Sequence, residues 1–190
     1  MRPLPSAVRE AVVLALLLSM AMALHSLERM VPLPQVAPGV KLGLANSASL
    51  VGLFVLPYSR ILVLVVLRSL LASLFGGGPT VFVFSAVGGI ASATAMYLVL
   101  MYGYRAFSVA SASIVGALVH NAGQLAVAMA VTGASRLYVY LPVLVVSGGV
   151  TGFVVGVISS ELLRRLIRVN AVRPLFLKDA YERHFISNCQ

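Results

Sequence analysis

The chain has 190 residues, of which 60% are hydrophobic and 10% charged, with a formal net charge of +9 and a mean hydropathy of +1.01. A water-soluble domain of this length needs a charged surface, and this composition excludes one. Apolar runs of about 18 residues or more recur, as expected of helices crossing a ~30 Å hydrocarbon core, and the alternating strands of a membrane barrel are absent.

The fold class expected is therefore all-α: a polytopic, six-transmembrane-helix bundle in the cell membrane. The spans are predicted at about 7–27, 39–56, 58–75, 80–102, 107–131 and 138–168, with a basic tail over 169–190. They form one membrane domain, without an internal repeat of the kind inverted-repeat transporters carry. Arg2 and Arg9, an apolar run from Ala11 to Leu24 and an Ala21-Met22-Ala23 site together imitate a secretory signal. Small residues at every fourth position, Ala7, Ala11, Ala15, Ser19 and Ala23, instead give it a packing face that a discarded peptide would not need. This stripe is a candidate docking face for a partner helix, with packing inside the chain as the alternative.

Pro32, Pro34 and Pro38 interrupt the backbone before the second span, and Lys41 stands at its head. A lysine there is either an interface anchor or the rim of a binding site. Asn46 follows about a turn and a half deeper. Pro57 forces the turn into the third span, which carries Arg68 seven residues before Phe75, roughly 10 Å below the helix end. An arginine at that depth reads by default as part of a functional site, with snorkelling or carbonyl pairing as the alternative. Gly76-Gly77-Gly78-Pro79 separates the third span from the fourth.

The fifth span holds His120, Asn121 and Gln124, beside Gly116 and Gly123. Counted back from Val131, Gln124 lies roughly 10 Å deep and His120 roughly 16 Å. One such residue is ordinarily a hydrogen bond between helices; three together point to a polar pocket. The sixth span repeats Gly148-x3-Gly152-x3-Gly156-x3-Ser160, a stripe read first as packing within the chain.

Basic residues set the orientation. With both termini inside, the inner segments hold Arg2, Arg9, Arg60, Arg105, Arg164, Arg165, Arg168, Arg173, Lys178 and Arg183, and the outer loops hold Arg29 and Arg136. That bias gives an N-in, C-in topology and an even number of spans. Lys41, Asn46, Arg68, His120, Asn121 and Gln124 then belong to an outward-facing substrate site. Its expected sign is positive, with Glu28 in the first outer loop as the nearby carboxylate, so an anionic small molecule is the expected ligand.

Other chemistry is missing. No G-x4-G-K-[ST] is present, so nucleotide hydrolysis would need a separate chain. Asp179 is the only aspartate, which leaves no acidic pair to hold Mg²⁺ on a diphosphate. The histidines lack metal spacing, and no metal or other cofactor is expected. Basic residues are divided among helix-flanking loops rather than gathered on one face, which fits the lipid bilayer and not nucleic acid. Cys189 is the only cysteine, so no internal disulfide is possible. The chain is expected not to be an enzyme.

Four ordered motifs carry a family resemblance: Pro38-Gly39-Val40-Lys41-Leu42-Gly43-Leu44-Ala45-Asn46, Arg68-Ser69-Leu70-Leu71, Ser85-x2-Gly88-Gly89 and His120-Asn121-x-Gly123-Gln124-Leu125. Over about 11–161 the chain resembles the Gx transporter family, also labelled heptaprenyl diphosphate synthase component I. The resemblance implies kinship to the substrate-binding S-components of energy-coupling-factor transporters. Those are six-helix bundles that bind a small molecule on the outer side and dock, through small residues of the first helix, on a transmembrane coupling subunit with two ATPases. Ala7, Ala11, Ala15 and Ser19 would be the docking residues here. The label implies a second role, that of a non-catalytic accessory subunit of a polyprenyl diphosphate synthase. A purely structural membrane protein, with polar residues that only join helices, is the third expectation.

Overall fold

A computed structural model of the protein describes residues 6–30, 43–75, 78–103 and 107–168. Six α-helices run through them: α1 (Ser6–Met30), α2 (Asn46–Val55), α3 (Tyr58–Leu74), α4 (Gly78–Tyr102), α5 (Val109–Thr132) and α6 (Leu141–Arg168), with a 3₁₀ turn at Ser135–Tyr140 before the last. Among the described residues there is no strand. Four helical stretches are long and apolar enough to cross a membrane: Ala7–Glu28, Gly78–Tyr102, Val109–Thr132 and Ser135–Leu166.

The second helix departs most from expectation. It was predicted over 39–56, but within the described residues it begins at Asn46. Gly43 takes a left-handed φ of 70°, a conformation that a helix interior excludes and glycine adopts without strain. A turn then forms, with the Asn46 N–H donating to the Gly43 carbonyl at 2.8 Å. At the other end Leu56 is extended (φ −117°, ψ 151°), as the residue before a proline is pushed to be. The 10 residues between make a helix of about 15 Å, half of what a bilayer core needs. Instead of facing lipid, α2 is buried on every side from Ser47 to Val55, packed against α1, α3, α4 and α6.

Around it lies the apolar core of Leu50, Leu53 and Phe54 from α2, Ile61 and Leu64 from α3, Met96 and Leu100 from α4, and Leu163 from α6. Pro57 caps α3 with φ −62°. In the first turn of α3, the Arg60 Nε meets the Glu10 carboxylate of α1 at 3.2 Å, so both helices start at the same end of the bundle. Tyr58 stacks on Tyr97 with ring centroids 4.7 Å apart, and its hydroxyl lies 2.7 Å from the Thr94 hydroxyl, joining α3 to α4.

The Ser108 side chain caps α5 by accepting the Ser111 N–H at 3.1 Å, and Gly133 ends the helix with φ 66°. The Ser135–Tyr140 turn delays α6 to Leu141, three residues after the predicted start at 138. The glycine stripe of α6 is used within the chain. A Cβ at Gly152 would lie 2.8 Å from the Ile114 Cα, and one at Gly156 2.6 Å from the Ala110 Cα, so α5 and α6 touch backbone to backbone. By contrast, Ala7, Ala11, Ala15, Ser19 and Ala23 of α1 are all exposed, while Leu17 and Ala21 turn to the core. Val146, Val150 and Phe153 stand out from α6, the kind of large apolar side chain that a bilayer, not water, covers.

Candidate functional site: a polar cavity reached by all six helices

A cavity of about 60 Å³ lies between the second half of α1, the entry to α2, the second half of α3, α4, α5 and the middle of α6. One ordered water needs about 10–15 Å³ measured this way, so the space admits about four to six waters or a compact molecule of matching size. Asn46, Arg68, His120, Asn121 and Gln124 all line it. Residues from three separate helices, noted in the sequence only for polarity and depth, thus share one wall. Lys41 and the proline-rich segment before it lie outside the described residues.

Arg68 is 4% exposed. Its Nη1 donates to the Asn46 Oδ1 at 3.1 Å, which fixes the guanidinium against the first turn of α2. Two glycines of the Ser85-x2-Gly88-Gly89 motif make room for this arrangement. A Cβ at Gly89 would lie 2.7 Å from the Val65 Cγ1 and 3.2 Å from the Arg68 Nη2. At Gly88 it would lie 3.0 Å from both the His120 carbonyl oxygen and the Gln124 Cγ. Gly88 and Gly123 face each other at similar range, and the Ser69 hydroxyl donates to the Ser85 hydroxyl at 3.0 Å. The motif glycines therefore hold α4 close to both α3 and α5 at the depth of the polar groups.

Asn121 has a structural bond as well as a place on the wall. Its Nδ2 donates to the Leu144 carbonyl at 3.0 Å, tying α5 to α6. The interhelical hydrogen bond weighed against a pocket for this residue is thus present together with the pocket.

Two wall residues went unassigned in the sequence. His25 and Glu28 also line the cavity, and Glu28 is 8% exposed. Glu28 was read as part of an outer loop because the first span was ended at 27; α1 continues to Met30 and carries it inward. Their spacing of three, one helical turn, was the available signal. The Glu28 Oε1 accepts the Gly43 N–H at 2.6 Å, and Glu28 shares the cavity wall with Arg68. The carboxylate expected nearby in an outer loop thus stands on the wall itself: among the described residues, the wall carries one buried cation and one buried carboxylate. No group of three or more His, Cys, Asp or Glu side chains is gathered to hold a metal among these residues.

Residues 17–162, most of the chain and every residue lining the cavity, match the family described as heptaprenyl diphosphate synthase component I. Searches of curated proteins and of solved structures returned no match. The chain therefore belongs to the heptaprenyl diphosphate synthase component I family, as a component and not an enzyme in its own right.

Proposed function

We propose that this protein is a non-catalytic, multi-pass subunit of the cell membrane that binds a small polar molecule in the cavity around Arg68. The observation that carries this reading is the convergence of all six helices on one cavity walled by Arg68, Asn46, Glu28, His120 and Gln124. A membrane protein has no packing reason to bury so many polar groups around an open space. Arg68 would hold an acidic group of the ligand, with Asn46, His120, Asn121 and Gln124 orienting the rest and Lys41 at the rim.

Two settings suit such a subunit. The family description supports the first: an accessory subunit of a heptaprenyl or other polyprenyl diphosphate synthase in isoprenoid quinone synthesis, the catalytic centre residing in a partner. The cavity supports the second: a subunit similar to the S-components of energy-coupling-factor transporters, taking up a small molecule with a coupling subunit and ATPases. The exposed Ala7, Ala11, Ala15 and Ser19 of α1 would be the docking face in that case. Native mass spectrometry of the gently purified protein separates them. A polyprenyl diphosphate synthase partner is expected in the first setting, and a retained small molecule with an ATPase-bearing complex in the second. Neither partner and no bound molecule would sink both.

The topology belonging to this reading is six spans, N-in and C-in, the short α2 being enclosed by its neighbours. Cys189, the sole cysteine, provides the check. A membrane-impermeant maleimide is expected to label it in inside-out vesicles and to spare it in intact cells. Labelling of intact cells would reverse the orientation and move the cavity to the inner side.

A further inference from the structure

The hydrogen bonds already made on the wall decide which atoms are left for a ligand. Arginine can only donate, so the Asn46 amide turns its Oδ1 to the Arg68 Nη1 and keeps its Nδ2 as a donor. Ser85, on α4, lines the same cavity. Its hydroxyl oxygen accepts the Ser69 proton at 3.0 Å, and its own proton has no acceptor among the described residues. Gly89, one turn along the same face of α4, lies against Arg68: a Cβ there would be 3.2 Å from the Nη2. The Arg68 guanidinium, with five N–H groups, makes one hydrogen bond among the described residues. Side chains from α2, α3 and α4 thus offer N–H and O–H donors to one space.

Asn121 has the opposite polarity. A carbonyl only accepts, so its Nδ2 is the atom turned to Leu144 on α6, on the side where a Cβ at Gly148 would lie 2.7 Å from it. Its Oδ1 is left as an acceptor on α5. On α1 the Glu28 Oε1 is already taken by the Gly43 N–H, and like charges repel, so a negative group belongs on the Arg68 side. Size completes the description. Room for about four to six waters is room for about as many non-hydrogen atoms. A carboxylate leaves part of that space for a hydroxyl-bearing carbon, whereas a phosphate group fills nearly all of it.

Resting on the reading of this cavity as a binding site, we propose that Ser85 is a further ligand-binding residue, completing with Arg68 and Asn46 a subsite for the carboxylate of a small hydroxy acid. The Ser85 hydroxyl, the Asn46 Nδ2 and the remaining N–H groups of Arg68 supply donors for the two carboxylate oxygens. The Asn121 Oδ1 accepts the hydroxyl proton of the same molecule.

Lactate, propionate and lactamide test this on the purified full-length chain in detergent, since propionate lacks the hydroxyl and lactamide the charge. Thermal melting is the readout, because a ligand that binds only the folded state raises Tm with its concentration. Lactate is expected to give the same rise at about fivefold lower concentration than propionate, the size of one neutral hydrogen bond. Against lactamide the advantage should be about tenfold or more, the size of a hydrogen bond to a charged group. Ser85→Ala should raise the concentration needed for both carboxylates about tenfold and keep their ratio. Ser85→Cys, nearly isosteric but a weak donor, takes its place if Ser85→Ala does not fold. Ser69→Ala is the control: Ser69 does not line the cavity, and its loss removes the α3–α4 hydrogen bond but not the Ser85 proton. It should bind as the unaltered chain does. Equal weakening in the Ser69 and Ser85 variants would reduce Ser85 to a helix-joining residue and overturn the proposal. Lactamide equal to lactate would overturn the carboxylate subsite, and propionate equal to lactate the hydroxyl. No rise with any probe, with a molecule still retained in native mass spectrometry, would overturn this inference and leave the cavity reading standing. No rise and no retained molecule would sink both.

Discussion

Replacing Arg68 by methionine, which keeps most of the volume and removes the charge, is expected to lower stability by about 1–3 kcal/mol, the usual cost of leaving a buried hydrogen-bond partner unsatisfied. The effect comes less from lost attraction than from the acceptor left behind. The Asn46 Oδ1 would stay at the first turn of α2 with its guanidinium donor gone. The double variant Arg68→Met/Asn46→Leu should therefore recover part of the loss, because it removes both polar partners. The chain contains no tryptophan, so unfolding in SDS titrations is best followed by far-UV circular dichroism. A double variant as unstable as Arg68→Met alone would mean that Arg68 stabilises the fold through packing, and not through Asn46.

Leucine at Gly156 is expected to disrupt the α5–α6 contact, with a cost of about 1–3 kcal/mol for overpacking a fitted interface. The side chain has nowhere to go. Even a Cβ would sit 2.6 Å from the Ala110 Cα and 2.9 Å from the Ser113 Cβ, and backbone cannot swing aside as a side-chain tip can. Relief requires α6 to withdraw from α5, which also displaces Thr151, Gly152 and Val155 from the cavity wall. Gly149 is the natural control, since a Cβ there meets nothing within 4 Å. Gly149→Leu should melt close to the unaltered protein, and Gly156→Leu well below it. Equal melting of the two would remove the stripe from the intramolecular interface.

The helical membrane class was fixed by composition, because a chain so poor in charge cannot solvate a folded surface. Helix positions followed from the same kind of local chemistry. Pro57 forces the turn between the second and third helices, with Leu56 extended before it, for reasons of backbone geometry that act wherever the chain sits. Even the candidate wall was partly legible. Arg68, His120 and Gln124 are unfavourable in hydrocarbon, so their presence at depth in apolar helices demanded a common explanation.

Tertiary structure decided the rest. Length and apolarity alone cannot tell that α2 is enclosed by four other helices, since a buried helix and a lipid-facing helix are both apolar all round. Nor could they separate the two small-residue stripes. Those of α1 and α6 repeat with the same spacing, yet one is exposed and the other is pressed on α5, because spacing defines a face without naming what lies against it. Glu28 was hidden by a three-residue error in the end of α1, which turned a wall carboxylate into a loop residue. The sequence by itself determined which residues cannot rest in lipid; only the packing of six helices determined that they meet, and that a negative charge meets them.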